Sequence, residues 1–413
     1  MELKTKYQYS YFIYPYIINE EKYDKYLLKL LKDKHCKLKI FEKEKNLNLY
    51  TYFLPNMREY LFWSFSYSKS QIKKLDELDE ELKSVLLSKY PCTIFEYDLG
   101  NDAQGKVGET NGIFFNVRDM QIICFQTGEC FILIKTIIEG SNSFSDVLNF
   151  NYKFRDINSE FVSLKDYENI RIQTNSFKDI KDLSNIIKNI TGINKDIKEI
   201  NIDNERFFTY TYTCIEQEKW NKEEDFENIK EEFSKYINIL PNSQKTNINN
   251  KNEEYEILKD SEFVKIGITK QGTALLTSSK NIDNYTKLPY IYEQEYLYTY
   301  IFMLYKRICL KKMNIEFKKN KNLEKVKNKF IEFTKNIWVQ EITEDSKGSI
   351  LSKKLRGVFE LEYLYMAIKN KYDTMYKNID INKMKKTNYI ILAILALSLI
   401  FNVINFILLF LKH

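Results

Sequence analysis

Two rhythms of apolar residues alternate through the first part of the chain, and a third replaces them at the end. Glu21–Lys32 and Gln71–Lys89 place apolar side chains three or four apart, the spacing of an amphipathic helix. In the second, Ile72, Leu75, Leu78, Leu82 and Leu86 carry the stripe. Between Cys92 and Ile138 the pattern becomes short apolar runs, TIFEYDL, GIFFNV, MQIICFQ and CFILIKTII, separated by glycine-containing turns; this predicts sheet. A helix fits Lys178–Ile190 and stops near Gly192, and FFTYTYTCI (Phe207–Ile215) is a further strand. Elements interleaved in this way predict an α/β or α+β domain. The polar stretch 241–254 reads as a linker loop. The hairpin FVKIGIT-KQG-TALLTS then returns to the same sheet, so residues 1–286 are read as one α/β domain.

From Leu288 onward the apolar spacing is helical. Tyr290–Met313 and Lys321–Glu341 form two helices, and residues 287–386 together read as a helical stalk. Its most regular part runs through Leu351, Leu355, Val358, Leu361, Tyr365, Ile368, Tyr372, Met375 and Ile379. That stripe fits either packing within one subunit or a seam shared between subunits. No proline interrupts Leu351–Leu411, so one helix of about 90 Å is expected there. Its last part, Tyr389–Leu411, is YIILAILALSLIFNVINFILLFL and holds no charge. Roughly 23 helical residues span about 34 Å, against about 30 Å for a bilayer core, so residues 387–411 are read as a transmembrane helix.

Lys383, Lys385 and Lys386 precede this segment, which places residues 1–386 in the cytosol and the C-terminus outside an inner (plasma) membrane. The first residues, MELKTKYQYSYFIYPYII, lack the apolar core of a signal peptide. Six cysteines without disulfide-like or metal-like spacing fit a reducing compartment. Lys+Arg 63 against Asp+Glu 57 leaves +6 spread along the chain, so no nucleic-acid partner is expected. The two histidines are His35 and His413, which argues against histidine zinc sites and histidine-activated nucleophiles. With no catalytic constellation in view, the chain is expected to be neither an enzyme nor a cofactor binder.

Three groups of residues carry candidate binding chemistry. Gly100-Asn-Asp-Ala-Gln-Gly105-Lys106-Val107 matches the spacing of a phosphate-binding loop. Val107 stands where a hydroxyl must hold magnesium, and GETNG after it does not begin a helix. Gly100, Gly105, Lys106 and Gly108 therefore read as a turn between strands or as a ligand-contacting loop. Acidic residues crowd Glu216–Glu232 and recur at Glu341, Glu344 and Asp345; they read as solvated faces, and any metal ligands stay open. In the transmembrane segment Ser398, Asn402 and Asn405 share one helical face. Polar groups at that depth either hydrogen-bond between helices or line an aqueous pore, and both need an oligomer.

KIGITKQGTALLTSS, EYLYTYIFMLYKRICLKK and FIEFTKNIWVQEITEDSKGSILSKKLRGVFELEYLYMAIKNKYD resemble the CorA-like cation channel superfamily in the order and character of their elements. The resemblance covers about Ser261–His413 in detail and the rest in layout. It implies an N-terminal α/β cytosolic domain, a stalk helix running into the membrane, a homo-oligomer of five subunits and an ion pore. Two features depart from the family. The Gly-Met-Asn motif is missing, since no glycine follows Gly357, and one span is visible where the family has two. The resemblance extends to members that act as membrane effectors in antiviral defence, gated by a nucleotide signal. The expectation is thus a channel or effector whose cytosolic domain senses a small-molecule or nucleotide ligand. The alternative is a tail-anchored binding or scaffold protein without a pore.

Overall fold

The computed structural model describes residues 2–108, 112–157, 170–177, 179–192, 206–245, 256–319 and 323–410. Residues 246–254 of the polar stretch and 109–111 of GETNG lie outside them, as do 411–413. Twelve strands among the described residues form one sheet: β1 (Thr5–Ile17), β2 (Cys36–Leu38), β3 (Cys92–Tyr97), β4 (Gln104–Val107), β5 (Ile113–Phe125), β6 (Glu129–Ile138), β7 (Ile170–Gln173), β8 (Lys181–Asp182), β9 (Phe208–Ile215), β10 (Glu256–Ser261), β11 (Val264–Thr269) and β12 (Gly272–Ser278). The spatial order is β10-β11-β12-β9-β1-β6-β5-β4-β7-β8. At β5 the sheet forks, because residues near Phe115 pair with β4 and those near Ile123 pair with β3, which carries β2. Neighbours are antiparallel except β12 and β9. The hairpin of β11 and β12 joins the main sheet through that parallel pair, as its sequence predicts.

Alternation along the central strands assigns their two faces. Tyr9 and Tyr11 of β1 and Tyr210 and Tyr212 of β9 point to one side. Their hydroxyls donate to Pro289 O (2.8 Å), Glu293 Oε1 (2.8 Å), Tyr292 O (2.6 Å) and Asn284 O. Ser10, Phe12, Thr211 and Thr213 point to the other side. There Phe12 stacks on Phe154 with centroids 3.9 Å apart, and the Tyr236 hydroxyl bonds both threonines. The helices Phe144–Phe154 and Lys230–Asn238 thus cover one face, and the helical region that begins at Leu288 covers the other. A single hydrophobic core includes residues from before and after position 286.

The helix Leu297–Lys319 is buried on nearly every side from Leu297 to Leu310, between the sheet and later helices. A π-turn at Tyr292–Tyr296 precedes it, and another at Phe333–Ile337 ends the next helix, Leu323–Glu332. Ser346–Val358 and Leu361–Phe410 follow. One unbroken helix from Leu351 is therefore corrected to two. The break lies at Phe359–Glu360, where Glu360 takes φ 55°, in the left-handed region. Phe359 and Leu361 are buried on either side, and Glu360 Oε1 accepts from Lys270 Nζ at 3.0 Å. These contacts hold a conformation that a non-glycine residue otherwise avoids. The Leu351–Met375 stripe packs within the chain: Leu351, Leu355, Leu361 and Ile368 are buried, and Val358, Tyr365, Tyr372 and Met375 lie against the core.

Two further details differ from the sequence reading. The Gln71–Lys89 stripe is two helices, Lys69–Asp76 and Glu80–Leu87, because Asp79 caps the second by accepting from Leu82 N at 2.8 Å. GIFFNV and MQIICFQ are one strand, β5, kinked by a bulge at Arg118.

Candidate functional site

The 50-residue helix Leu361–Phe410 is about 75 Å long and has two unlike halves. Its first turns are seated in the body, with Leu361 and Ile368 fully buried. Met384–Ile404 is apolar, long enough to cross a bilayer, and entirely uncovered. A helix this apolar in a soluble core would be buried. Among the described residues there is therefore one candidate membrane span, which fits a single-pass anchor. Ser398 and Asn402 lie in it, four residues apart and exposed on one face. Asn405 continues the same helix, but its side chain lies outside the described residues.

Where the long helix leaves the body, charged and aromatic groups form a joint. Trp338 stacks on Tyr365 at 4.3 Å with planes 4° apart, and the Arg356 guanidinium lies 4.8 Å over the Trp338 ring. Arg356 donates through Nε (3.1 Å) and Nη2 (2.5 Å) to Glu362 Oε1, across the helix break. Its Nη1 reaches Val339 O at 3.2 Å, and Lys306 Nζ reaches the same carbonyl at 3.0 Å. Lys306 is fully buried. Burial pushes its ammonium down to about 7, Arg356 adds to the shift, and Glu362 opposes it. The joint thus contains a lysine that changes charge near neutral pH.

Beside the joint a cavity of about 850 Å³ opens between the sheet and the helical layer. The β5–β6 turn (Gln126, Thr127), Glu20, Tyr60, and the helices bearing Cys309, Lys312, Met313, Lys329 and Phe333 line it. Lys312 Nζ donates to Glu20 Oε1 (3.0 Å), Thr127 O (2.8 Å) and Glu129 Oε1 (2.9 Å). Burial alone would lower the Lys312 ammonium, but Glu129 and Glu20 outweigh it and hold it above the usual lysine range. Lys329 bonds Glu20 Oε1 at 2.8 Å and both Glu316 oxygens at 3.3 Å. Burial would raise the Glu20 carboxyl, yet the two lysines hold it below its ordinary value. This network ties the sheet to both helices.

The glycine-rich string is placed differently. Gly105 and Lys106 lie within β4, whose backbone pairs with β5 on one edge and β7 on the other. Those amides are committed to ladders, and the next described element is a strand, so no helix N-terminus faces the string. Gly105 is a packing glycine: an added Cβ would enter the Phe115 ring and meet Arg171 O at 2.8 Å. Gly100 (φ 82°) and Gly108 (φ 91°) flank the strand in turns. The Gly100 amide donates to Asp98 Oδ1 at 2.9 Å, and Asp98 pairs with Lys37 at 2.8 Å.

Acidic positions are dispersed. Glu216 pairs with Lys6, Glu223 with Lys259 and Glu227 with Lys230. Asp345 caps Ser346–Val358 by accepting from Gly348 N at 2.6 Å. The Glu295 carboxyl is pushed up to about 7, first by burial and then by Asp345. Among the described residues, no three carboxylate, cysteine or histidine groups converge as a metal site.

No family model, curated protein or solved structure matches the chain. Sequence reasoning missed the cavity and the joint. Their signal was Lys306, Arg307, Lys311 and Lys312 inside an otherwise apolar helix, which marks charges that must find buried partners.

Proposed function

We propose that the chain is one subunit of an oligomeric membrane channel or effector of CorA-like type. Its α/β body senses a small ligand, and the 50-residue helix passes the response to a pore. The observation that carries this reading is the helix itself, seated in the body at one end and apolar and bare at the other. A ligand in the 850 Å³ cavity would touch Leu297–Lys319 and Leu323–Ile337, the helices beside which the long helix begins. Two packings of the Trp338–Tyr365–Arg356 joint would then give two positions of the membrane segment. Residues 1–386 stand on the cytosolic side of the plasma membrane, behind the Lys383–Lys386 flank. Ser398, Asn402 and Asn405 face neighbouring copies or the pore, in a pentamer by the family resemblance. The body performs no chemistry on its ligand. A nucleotide-gated antiviral effector is the same architecture with a different trigger.

The one candidate span among the described residues also suits a plain membrane anchor, and the number of chains separates the two readings. Native mass spectrometry of the full chain in detergent should give a closed homo-oligomer. A clean monomer across all detergents would end the pore reading and leave the anchor.

A further inference from the structure

We propose that the joint at the root of the long helix is a pH-sensitive switch: when Lys306 takes up a proton, Arg356 gives up Val339 O and the helix break at Phe359–Glu360 loosens. This rests on the reading of the joint as an element with two packings, and it adds a second input to that element, acidification on the side of the body.

Two basic side chains share one carbonyl in the joint. Lys306 Nζ and Arg356 Nη1 both donate to Val339 O, at 3.0 and 3.2 Å. Lys306 is fully buried, and among the described residues that carbonyl is its one hydrogen-bond acceptor. Rings fill the space around it, with the Phe302 centroid 4.6 Å and the Trp338 centroid 5.8 Å from Nζ. A neutral amine is satisfied in such a place. An ammonium has three N–H donors to satisfy, and aromatic faces replace only part of the water it has lost. The charged groups that act on Lys306 are Arg356, from the helix Ser346–Val358, and Glu362, from Leu361–Phe410. Glu362 Oε1 already accepts from Arg356 Nε and Nη2. Glu332 and Lys335, before the Trp338–Val339 segment, are exposed, and water screens them. On its own helix Arg307 turns away to Lys270 O at 2.8 Å, and Lys312 turns to Glu20 and Glu129.

Arg356 is also the strut across the helix break. It stands before Phe359–Glu360 and bonds Glu362 after it, while its guanidinium lies over Trp338, which stacks on Tyr365. Glu360 at φ 55° keeps a conformation that its surroundings impose, so the break is where a displaced strut is felt first. Burial pushes the Lys306 ammonium down to about 7, Arg356 adds to the shift, and Glu362 opposes it. In an opened joint the lysine returns toward its ordinary 10.5. The opened joint therefore binds the proton more tightly than the packed one. The packed joint is favoured as pH rises from about 7 toward 10.5, by up to about tenfold per pH unit for one proton. That preference is lost as pH falls to about 7, and below it nothing further changes. Between about pH 6 and about pH 8 the ratio of packed to opened joint should change about tenfold.

Amide hydrogen exchange of the full-length protein in detergent reads the joint directly, once corrected for the intrinsic pH dependence of exchange. The reporting amides are Phe359 N, bonded to Leu355 O at 2.9 Å, and Leu364 N, bonded to Glu360 O at 3.0 Å. In the wild type their protection should rise about tenfold from about pH 6 to about pH 8. Lys306→Met should hold it flat at the wild type's alkaline level, and the helix Phe144–Phe154, on the far face of the sheet, should be flat in both. Glu362→Gln keeps the lysine and removes the charge that favours its protonation, so the rise should begin at a lower pH. The switch is overturned by a pH-independent joint in the wild type, by a Lys306→Met profile like that of the wild type, or by an equal change in Phe144–Phe154. Should Lys306→Met fail to fold, a Glu362→Gln rise at the wild-type pH overturns it too. Exchange is read without any ion current. A pH-dependent joint in a protein that passes no ions would sink the channel and leave the switch standing, while conductance with a pH-independent joint would sink the switch alone.

Discussion

Replacing Lys306 with methionine should make the protein more stable, and by an amount that depends on pH. The lysine is fully buried, and its ammonium titrates near 7 instead of near 10.5, first because of burial and then because of Arg356. Below pH 7 the folded state carries the whole cost of that buried charge. Between about pH 7 and 10.5 the unfolded chain binds more protons than the folded one, so wild-type stability rises with pH. Above that range the cost is gone. At 1.36 kcal/mol per pH unit, the ceiling is about 5 kcal/mol. Relaxation around the charge reduces it, and a net gain of about 1–3 kcal/mol for Lys306→Met is expected at neutral pH. Val339 O is not orphaned, because Arg356 Nη1 still donates to it at 3.2 Å. Methionine also suits the Phe302 ring, which now lies 4.6 Å below the ammonium. Lys311, pushed down to about 8 mainly by burial, is present in both proteins and cancels in the comparison. Thermal unfolding by tryptophan fluorescence, from about pH 6 to about pH 10, reads the difference. The variant should melt a few degrees higher at the acid end, and its advantage should shrink toward the alkaline end. A lower melting temperature at neutral pH, or a gap that does not change with pH, would refute the reasoning.

Two glycines should respond with opposite signs. Gly105→Ala, which drives a methyl into the Phe115 ring, should cost about 1–3 kcal/mol in chemical denaturation. Gly357→Ala, in a helix with nothing within 4 Å of the added atom, should gain about 0.5–1 kcal/mol. Lys312→Met leaves Glu129 charged, buried and unpaired, and should destabilise by about 3–5 kcal/mol. Adding Glu129→Gln should recover part of that loss, and failure to recover any would mean that the ion pair is not its source.

The fold was legible where the two faces of an element differ. FFTYTYTCI reads as a strand because its tyrosines meet the helical layer and its threonines meet Tyr236. The central strand β1 was not read as a strand because both of its faces are rich in aromatic residues, with Tyr9 and Tyr11 opposite Phe12 and Tyr14. Pro15 disguised it further. The strand tolerates this proline where it runs past the end of β9 and pairs on one edge only. The break at Glu360 carries no glycine or proline, since burial of Phe359 and Leu361 imposes it and local preference does not. The candidate membrane span was legible because an uncharged run of that length is visible in one dimension. The cavity was not: Glu20, Glu129 and Lys312 meet only when the turn after β1, the start of β6 and the Leu297–Lys319 helix are packed together. Spacing misled at Gly105-Lys106, where the glycine serves strand packing against Phe115.

Ion flux through the full-length protein in liposomes, recorded as single channels, tests the central claim most directly. The account predicts discrete conductance from the wild type. It also predicts that replacing Asn402 and Asn405 together with leucine abolishes this conductance by making the polar face apolar, while the oligomer survives. Asparagines that only join helices would instead weaken the assembly, by roughly 0.6 kcal/mol per lost hydrogen bond. An inserted, oligomeric wild type that passes no ions, or an intact double variant that conducts as the wild type does, would contradict the account.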